Sequence, residues 1–168
     1  MGKSLIEIAK AVIQTEADSV LALKGRINND FEEVCNTLKE CTGKVVLVGM
    51  GKSGHIAKKI SSTLASTGTP SFYLHPGEAG HGDLGMVTDD DAVIMISYSG
   101  EADEIIALLP GIKRINVPLI SMTGNAKSSI AISSDYHIDV SVDKEAVSYT
   151  HLRAHETKAN LVCRLLLE

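Results

Sequence analysis

The stretch Val45–Ile56, VVLVGMGKSGHI, decides how this chain is read. Val45, Val46, Leu47 and Val48 form an unbroken apolar run, the pattern of a strand buried on both faces of a parallel sheet. Gly49, Gly51 and Gly54 follow, and a helical pattern takes over from Ser53 to Ser66. A glycine-rich turn between a strand and a helix leaves backbone N–H groups at a helix N-terminus, which attracts phosphate. The string fits G-x-G-x-x-G, and a dinucleotide site then needs an acidic residue closing the next strand to hold the ribose. That strand, Pro70–Leu74, runs into His75 and Pro76 instead, which disfavours a nucleotide-dependent oxidoreductase. Gly51-Lys52-Ser53 matches the end of a P-loop, but Val46 stands where that motif requires glycine, so a P-loop is rejected.

Working outward, β-rich runs alternate with helical patterns. Lys44–Gly49, Pro70–Leu74, Asp91–Ser97, Val117–Met122 and Tyr136–Val140 read as strands. Between them, Ser53–Ser66, Glu101–Ile115 and Ala126–Ile132 read as helices. The alternation predicts an α/β fold, a doubly wound five-stranded parallel sheet with helices on both faces and ligands at the carboxyl ends of the strands. Upstream, residues 1–42 form a helical arm. Leu5, Ile8, Ala9, Val12 and Ile13 share one helical face, and Asp30 with Glu33 makes a capping pair for a second helix, Phe31–Glu40. The arm either covers the sheet or packs against another subunit.

Composition narrows the function classes. The 168 residues, 44% hydrophobic and 22% charged, suit one globular domain with a sizeable core. A net charge of −5, from 16 basic and 21 acidic residues, disfavours nucleic acid as the main partner. Cys35, Cys41 and Cys163 are an odd set without a CxxC pair, which suits reduced thiols in a cytoplasmic protein. Glu7 and Lys10 interrupt the N-terminal apolar pattern, so no signal peptide is expected. No apolar run approaches the roughly 18 residues that span a bilayer, so no membrane partner is expected.

Polar or glycine-rich stretches fall at three strand ends. Ser97-Tyr98-Ser99-Gly100-Glu101 is either a second anion cradle or an ordinary helix start, with Ser99 as cap and Glu101 favouring the dipole. His75-Pro76-Gly77-Glu78-Ala79-Gly80-His81-Gly82-Asp83-Leu84-Gly85 is too polar to be core. Its two histidines are metal ligands, solvated loop residues or substrate contacts, and a spacing of six on a loop is a weak metal signal. Two cradles on one sheet favour a phosphate ester.

These residues together resemble the sugar isomerase (SIS) domain, and within it the bacterial arabinose 5-phosphate isomerases. The strings that carry the resemblance are VVLVGMGKSGHIAKK, STLASTGTPSFYLHPGEAGHGDLGMVT, ISYSGEADEI and Asp143-Lys144-Glu145-Ala146. The resemblance implies interconversion of arabinose 5-phosphate and ribulose 5-phosphate, a step toward the Kdo sugar of lipopolysaccharide. It needs no cofactor and implies a homo-oligomer, a tetramer in the intact protein. It puts the phosphate on Gly51, Ser53, Ser97 and Ser99, with Ala102 standing where some relatives have another hydroxyl. Gly68, Thr69 and His81 match substrate-contacting positions, and His75 matches one that binds an inhibitory zinc. Lys52, Glu104 and Glu145 match catalytic positions. Moving a proton between C1 and C2 through an enediol needs a base for the C–H proton and an electrophile for the oxygens. A glutamate suits the first role, Lys52 the second, and His81 is expected to help open the sugar ring. Which glutamate is the base stays open, and a non-enzymatic SIS module that senses a phosphosugar is the alternative.

Past Ala146 the pattern departs from the family, which continues with a Cys-Pro-Leu-Gly stretch, a closing helix and a further catalytic histidine. Val147–Glu168, VSYTHLRAHETKANLVCRLLLE, resembles translated vector or adapter sequence. The expected domain is therefore 1–146, an arm to residue 42 and an α/β core from 43, with 147–168 a non-native tail. Weak turnover and exposed apolar surface are expected to follow.

Overall fold

The computed structural model describes residues 4–142. Its frame is a five-stranded sheet in the order β2-β1-β3-β4-β5, every pair parallel. The strands are β1 (Val45–Gly49), β2 (Ser71–Leu74), β3 (Ala92–Ile96), β4 (Leu119–Thr123) and β5 (Tyr136–Asp139). They follow the expected order and place the expected doubly wound sheet.

Alternation along the strands divides the core between two faces. Val45 and Leu47 join Ile94, Ile96, Ile120 and Met122 on one face. That face is covered by Ile56, Ile60 and Leu64 of α3 (Gly51–Ser66) and by Val34 of α2 (Asn29–Glu40). Val46 and Val48 join Val93, Met95 and Leu119 on the other. There the cover is α4 (Pro76–Gly80), α5 (Asp103–Ile106), α6 (Leu109–Ile115) and α7 (Ser129–Ser133), through Ala79, Ile105, Ile112 and Ile130. Each fully buried aliphatic side chain contributes about 2 kcal/mol. Burial on both faces explains why β1 reads as a continuous apolar run.

Several expected boundaries shift for local reasons. Asn28, not the Asp30–Glu33 pair, caps α2, its side chain accepting from the Phe31 N–H at 3.3 Å. The single helix expected over Glu101–Ile115 is two, α5 and α6. Pro110 sits in the first turn of α6. A continuous helix would set its ring against the carbonyl four residues back and lose a hydrogen bond, so the chain restarts there. The glycine-rich stretch after β2 contains α4 and a 3-10 turn, Asp83–Met86.

The arm divides. α2 covers the sheet, with Val34 fully buried. α1 (Leu5–Ala22) is closed by a capping box, Glu7 N–H to Ser4 Oγ at 3.2 Å and Ser4 N–H to Glu7 Oε2 at 2.7 Å. It buries no residue, and Leu5 stays 85% and Ile13 68% exposed. Its apolar face therefore does not cover the sheet, which removes that reading for this half of the arm.

Candidate active site

In a sheet of this order the chain leaves β1 in one direction and β3 in the other, opening a crevice between their carboxyl ends. Gly49 is in register with Ile96, so residues 50–53 and 97–100 leave the sheet side by side. α3 starts in that crevice. Met50 is extended, Gly51 has φ +55°, no side chain caps the helix and its first turn holds no acid. The positive end of a sixteen-residue helix therefore faces the crevice with no side-chain cap and no acid of its own first turn. Half-buried Ser53 lies in this first turn. The Tyr73 hydroxyl donates to the Gly49 carbonyl at 2.8 Å and ties the end of β1 to β2.

The second cradle is a closed turn. Ser97 is buried and its Oγ accepts from the Gly100 N–H at 3.2 Å, while Ser99 Oγ accepts from the Glu101 N–H at 3.3 Å. Both oxygens accept within the turn, so each hydroxyl proton is left to donate to a ligand. Ser99 does not cap the following helix. α5 begins at Asp103, with Ala102 at the cap position. Glu101 does not serve α5 either; its Oε1 accepts from the Ser129 N–H of α7 at 2.8 Å. Hydrogen bonds from Ser129 hold the Glu101 carboxyl below the usual carboxylate range.

Lys52 and Glu104 are both exposed, in the first turns of α3 and α5. These helices pack on opposite faces of the sheet and start at the same carboxyl rim. His75 caps α4, its Nδ1 accepting from the Gly77 N–H at 3.1 Å, which leaves Nε2 as its one possible ligand atom. Among the described residues no group of three His, Cys, Asp or Glu side chains could hold a metal ion. His81 follows α4, which contacts α5, and Glu104 lies in the first turn of α5, so both residues belong to one helix pair.

Gly68 and Thr69 are not brought to this rim. They follow the last turn of α3 and precede β2, so they lie at the amino end of the sheet, beyond a helix that runs about 20 Å from Ser53 to Ser66. Within one protomer they are separated from Ser53, Ser97 and Ser99. Glu145 and the 147–168 tail lie outside the described residues. Sequence reasoning missed the tie from Glu101 to α7. Its signal was Ser128, whose Oγ caps α7 by accepting from the Ala131 N–H at 3.3 Å.

The SIS domain family model matches residues 38–156. The chain belongs to the SIS domain family. The match to this SIS family extends past Ala146, where the domain was expected to end. Among curated relatives, arabinose 5-phosphate isomerase KdsD of Salmonella typhi is 51% identical over 156 residues, 93% of this chain. The protein of that name from Pseudomonas aeruginosa is 50% identical over 94% of this chain. The chain spans about half the length of these relatives, 48% of each. Among solved SIS-like structures, Escherichia coli CFT073 c3406 in complex with arabinose 5-phosphate superposes with a TM-score of 0.88 at 41% identity, covering 99% of this chain and 92% of that one. Among the described residues no helix is long and apolar enough to cross a membrane, and Cys35 and Cys41 are free thiols.

Proposed function

We propose that the protein carrying this chain is an aldose–ketose isomerase that interconverts arabinose 5-phosphate and ribulose 5-phosphate. The observation that carries this is the meeting of the uncapped α3 N-terminus with the Ser97–Glu101 turn at the β1/β3 crevice. Its similarity to the KdsD relatives and to the c3406 complex with arabinose 5-phosphate supports the substrate. The phosphate sits on the first α3 amides with Gly51, Ser53, Ser97 and Ser99, a remote handle that fixes the sugar's orientation. Glu104 or Glu145 takes the C2 proton of the open-chain aldose. The electron pair forms the C1–C2 enediolate, Lys52 stabilises the charge on oxygen, the O2 hydroxyl proton passes to O1, and the carbon proton returns at C1 as the C2 carbonyl forms. His81 assists ring opening. The exchange is redox-neutral and needs no cofactor, and it fits a cytoplasmic step toward Kdo.

Assembly belongs to this reading. Leu5, Ile6, Ile8 and Ile13 are exposed on α1, and Gly68 and Thr69 sit at the far rim. If they contact sugar, that sugar is bound by another copy, so the functional unit is a homo-oligomer, a tetramer when intact. Sedimentation is expected to give an oligomer that Ile8→Glu with Ile13→Glu dissociates; a wild-type monomer would refute the assembly. The function is tested by following ribulose 5-phosphate formation, alongside thermal shifts with arabinose 5-phosphate, glucosamine 6-phosphate and NAD. Stabilisation by the pentose phosphate with turnover is expected. Pentose binding without turnover favours a phosphosugar sensor, and stabilisation by NAD alone overturns the reading.

A further inference from the structure

We infer that Glu101 is a positioning residue, which holds the Ser97–Ser99 turn in its phosphate-binding shape by clamping it to the start of α7. The inference rests on the phosphate reading above and adds how the cradle is kept open. The bonds within the turn, from the Gly100 N–H to Ser97 and from the Glu101 N–H to Ser99, close it but do not fix it against the rest of the rim. Here that support comes from the segment after β4. The Gly124 N–H donates to the Tyr98 carbonyl at 2.8 Å, and the Ile130 N–H donates to the Gly100 carbonyl at 3.2 Å. Glu101 Oε1 takes the Ser129 N–H at 2.8 Å and is the one side-chain acceptor in this set. Gly100, at φ +66°, lies so close to Ser128 that a Cβ would overlap its Oγ. The turn is thus pinned on both sides of Ser99. Glu101 also occupies the amide at the start of α7, whereas the α3 N-terminus has no side-chain cap and no first-turn acid.

A carboxylate beside an anion site is electrostatically unfavourable, and this makes the inference testable by sign. If Glu101 acts only through its charge, removing the charge tightens anion binding. If it positions the turn, removing the acceptor weakens it. Arabinose 5-phosphate and inorganic phosphate are titrated calorimetrically into the full chain and its Glu101→Ala, Glu101→Gln and Ser129→Pro variants, with amide exchange followed by NMR. Ser129→Pro deletes the donor at the first helical position, where proline is tolerated, and Ser128 already has the extended backbone proline requires (ψ 158°). Glu101→Ala and Ser129→Pro are expected to weaken both ligands about tenfold and to speed exchange at Gly100. Glu101→Gln loses the same charge, keeps an acceptor, and is expected to bind within about threefold of wild type. Equal tightening in both Glu101 variants, or unchanged affinity in Glu101→Ala, overturns the inference. Wild-type chain that binds neither ligand overturns the phosphate reading itself, a result distinct from either.

Discussion

The two rims of the sheet differ in what lines them. At the amino rim, backbone donors are met by carboxylates. Asp91, its side chain fully buried, accepts from the Lys44 N–H at 2.7 Å and the Thr88 N–H at 2.9 Å, and pairs with the Lys44 ammonium at 3.1 Å. Asp135 accepts from the Leu119 N–H at 2.8 Å. At the carboxyl rim the crevice between β1 and β3 is lined by serine hydroxyls and an uncapped helix start, and the acid that closes the serine turn, Glu101, is turned toward α7. On the proposed function, the second rim is the one that receives the phosphate. That reading assigns stability to one end and ligand binding to the other, and substitutions at each should separate the two properties.

The largest effect is expected at the carboxyl rim. Lys52→Met removes the proposed electrophile, and turnover should fall by at least about 100-fold. Lys52 is exposed, so thermal unfolding should move by less than about 0.5 kcal/mol. A variant that keeps its turnover would strip this rim of its proposed chemistry. At the amino rim the expectation reverses. Asp91→Ala leaves two backbone donors and a lysine without their partner and should cost about 3 kcal/mol by urea unfolding. Phosphosugar affinity of the folded protein should not change; a loss there would break the division between the rims.

A matched pair of glycines sharpens it. A Cβ on Gly43 would overlap Asp91 and the Asp90 backbone, and one on Gly100 would overlap Ser128. Gly43→Ala and Gly100→Ala should each cost about 1–3 kcal/mol, since neither neighbour has room to yield. Only Gly100→Ala should also weaken phosphosugar binding, measured by calorimetry, because only that glycine lies in the serine turn.

Much of the frame was legible because it depends on short-range pattern. Apolar runs bounded by turn residues mark each strand, and the glycines after Val48 mark the crevice. What was not legible depends on tertiary geometry or on competing local signals. Asn28 outcompetes Asp30 as a cap, and Pro110 breaks a pattern whose apolar periodicity runs through it. The apolar face of α1 is plain in the sequence, yet nothing local says whether it meets its own sheet or another copy. Gly68 and Thr69 follow the glycine-rich stretch closely in sequence, but the length of α3 carries them to the other rim. Glu101 reads as a first-turn acid and is instead bonded to a helix 28 residues away.

The smallest expected effect is a pH dependence that separates the rims once more. Burial alone would raise the Asp91 carboxyl, but the bonds from Thr88 and Lys44 outweigh it and hold it below its ordinary value. A depressed native pKa means the unfolded chain binds the proton first as acid is added. The contribution is therefore complete above about pH 4, the unfolded carboxylate value, and is lost as pH falls toward the lower native one. Unfolding free energies of wild type and Asp91→Asn, compared from pH 7 to pH 3, should converge below about pH 4. Glu101 is shifted in the same direction, but it is fully exposed and its bond is screened by water and salt. Glu101→Gln should leave the stability curve close to wild type across that range. A Glu101→Gln curve that departed from wild type as far as Asp91→Asn does would mean that the carboxyl rim, too, is held together by charge.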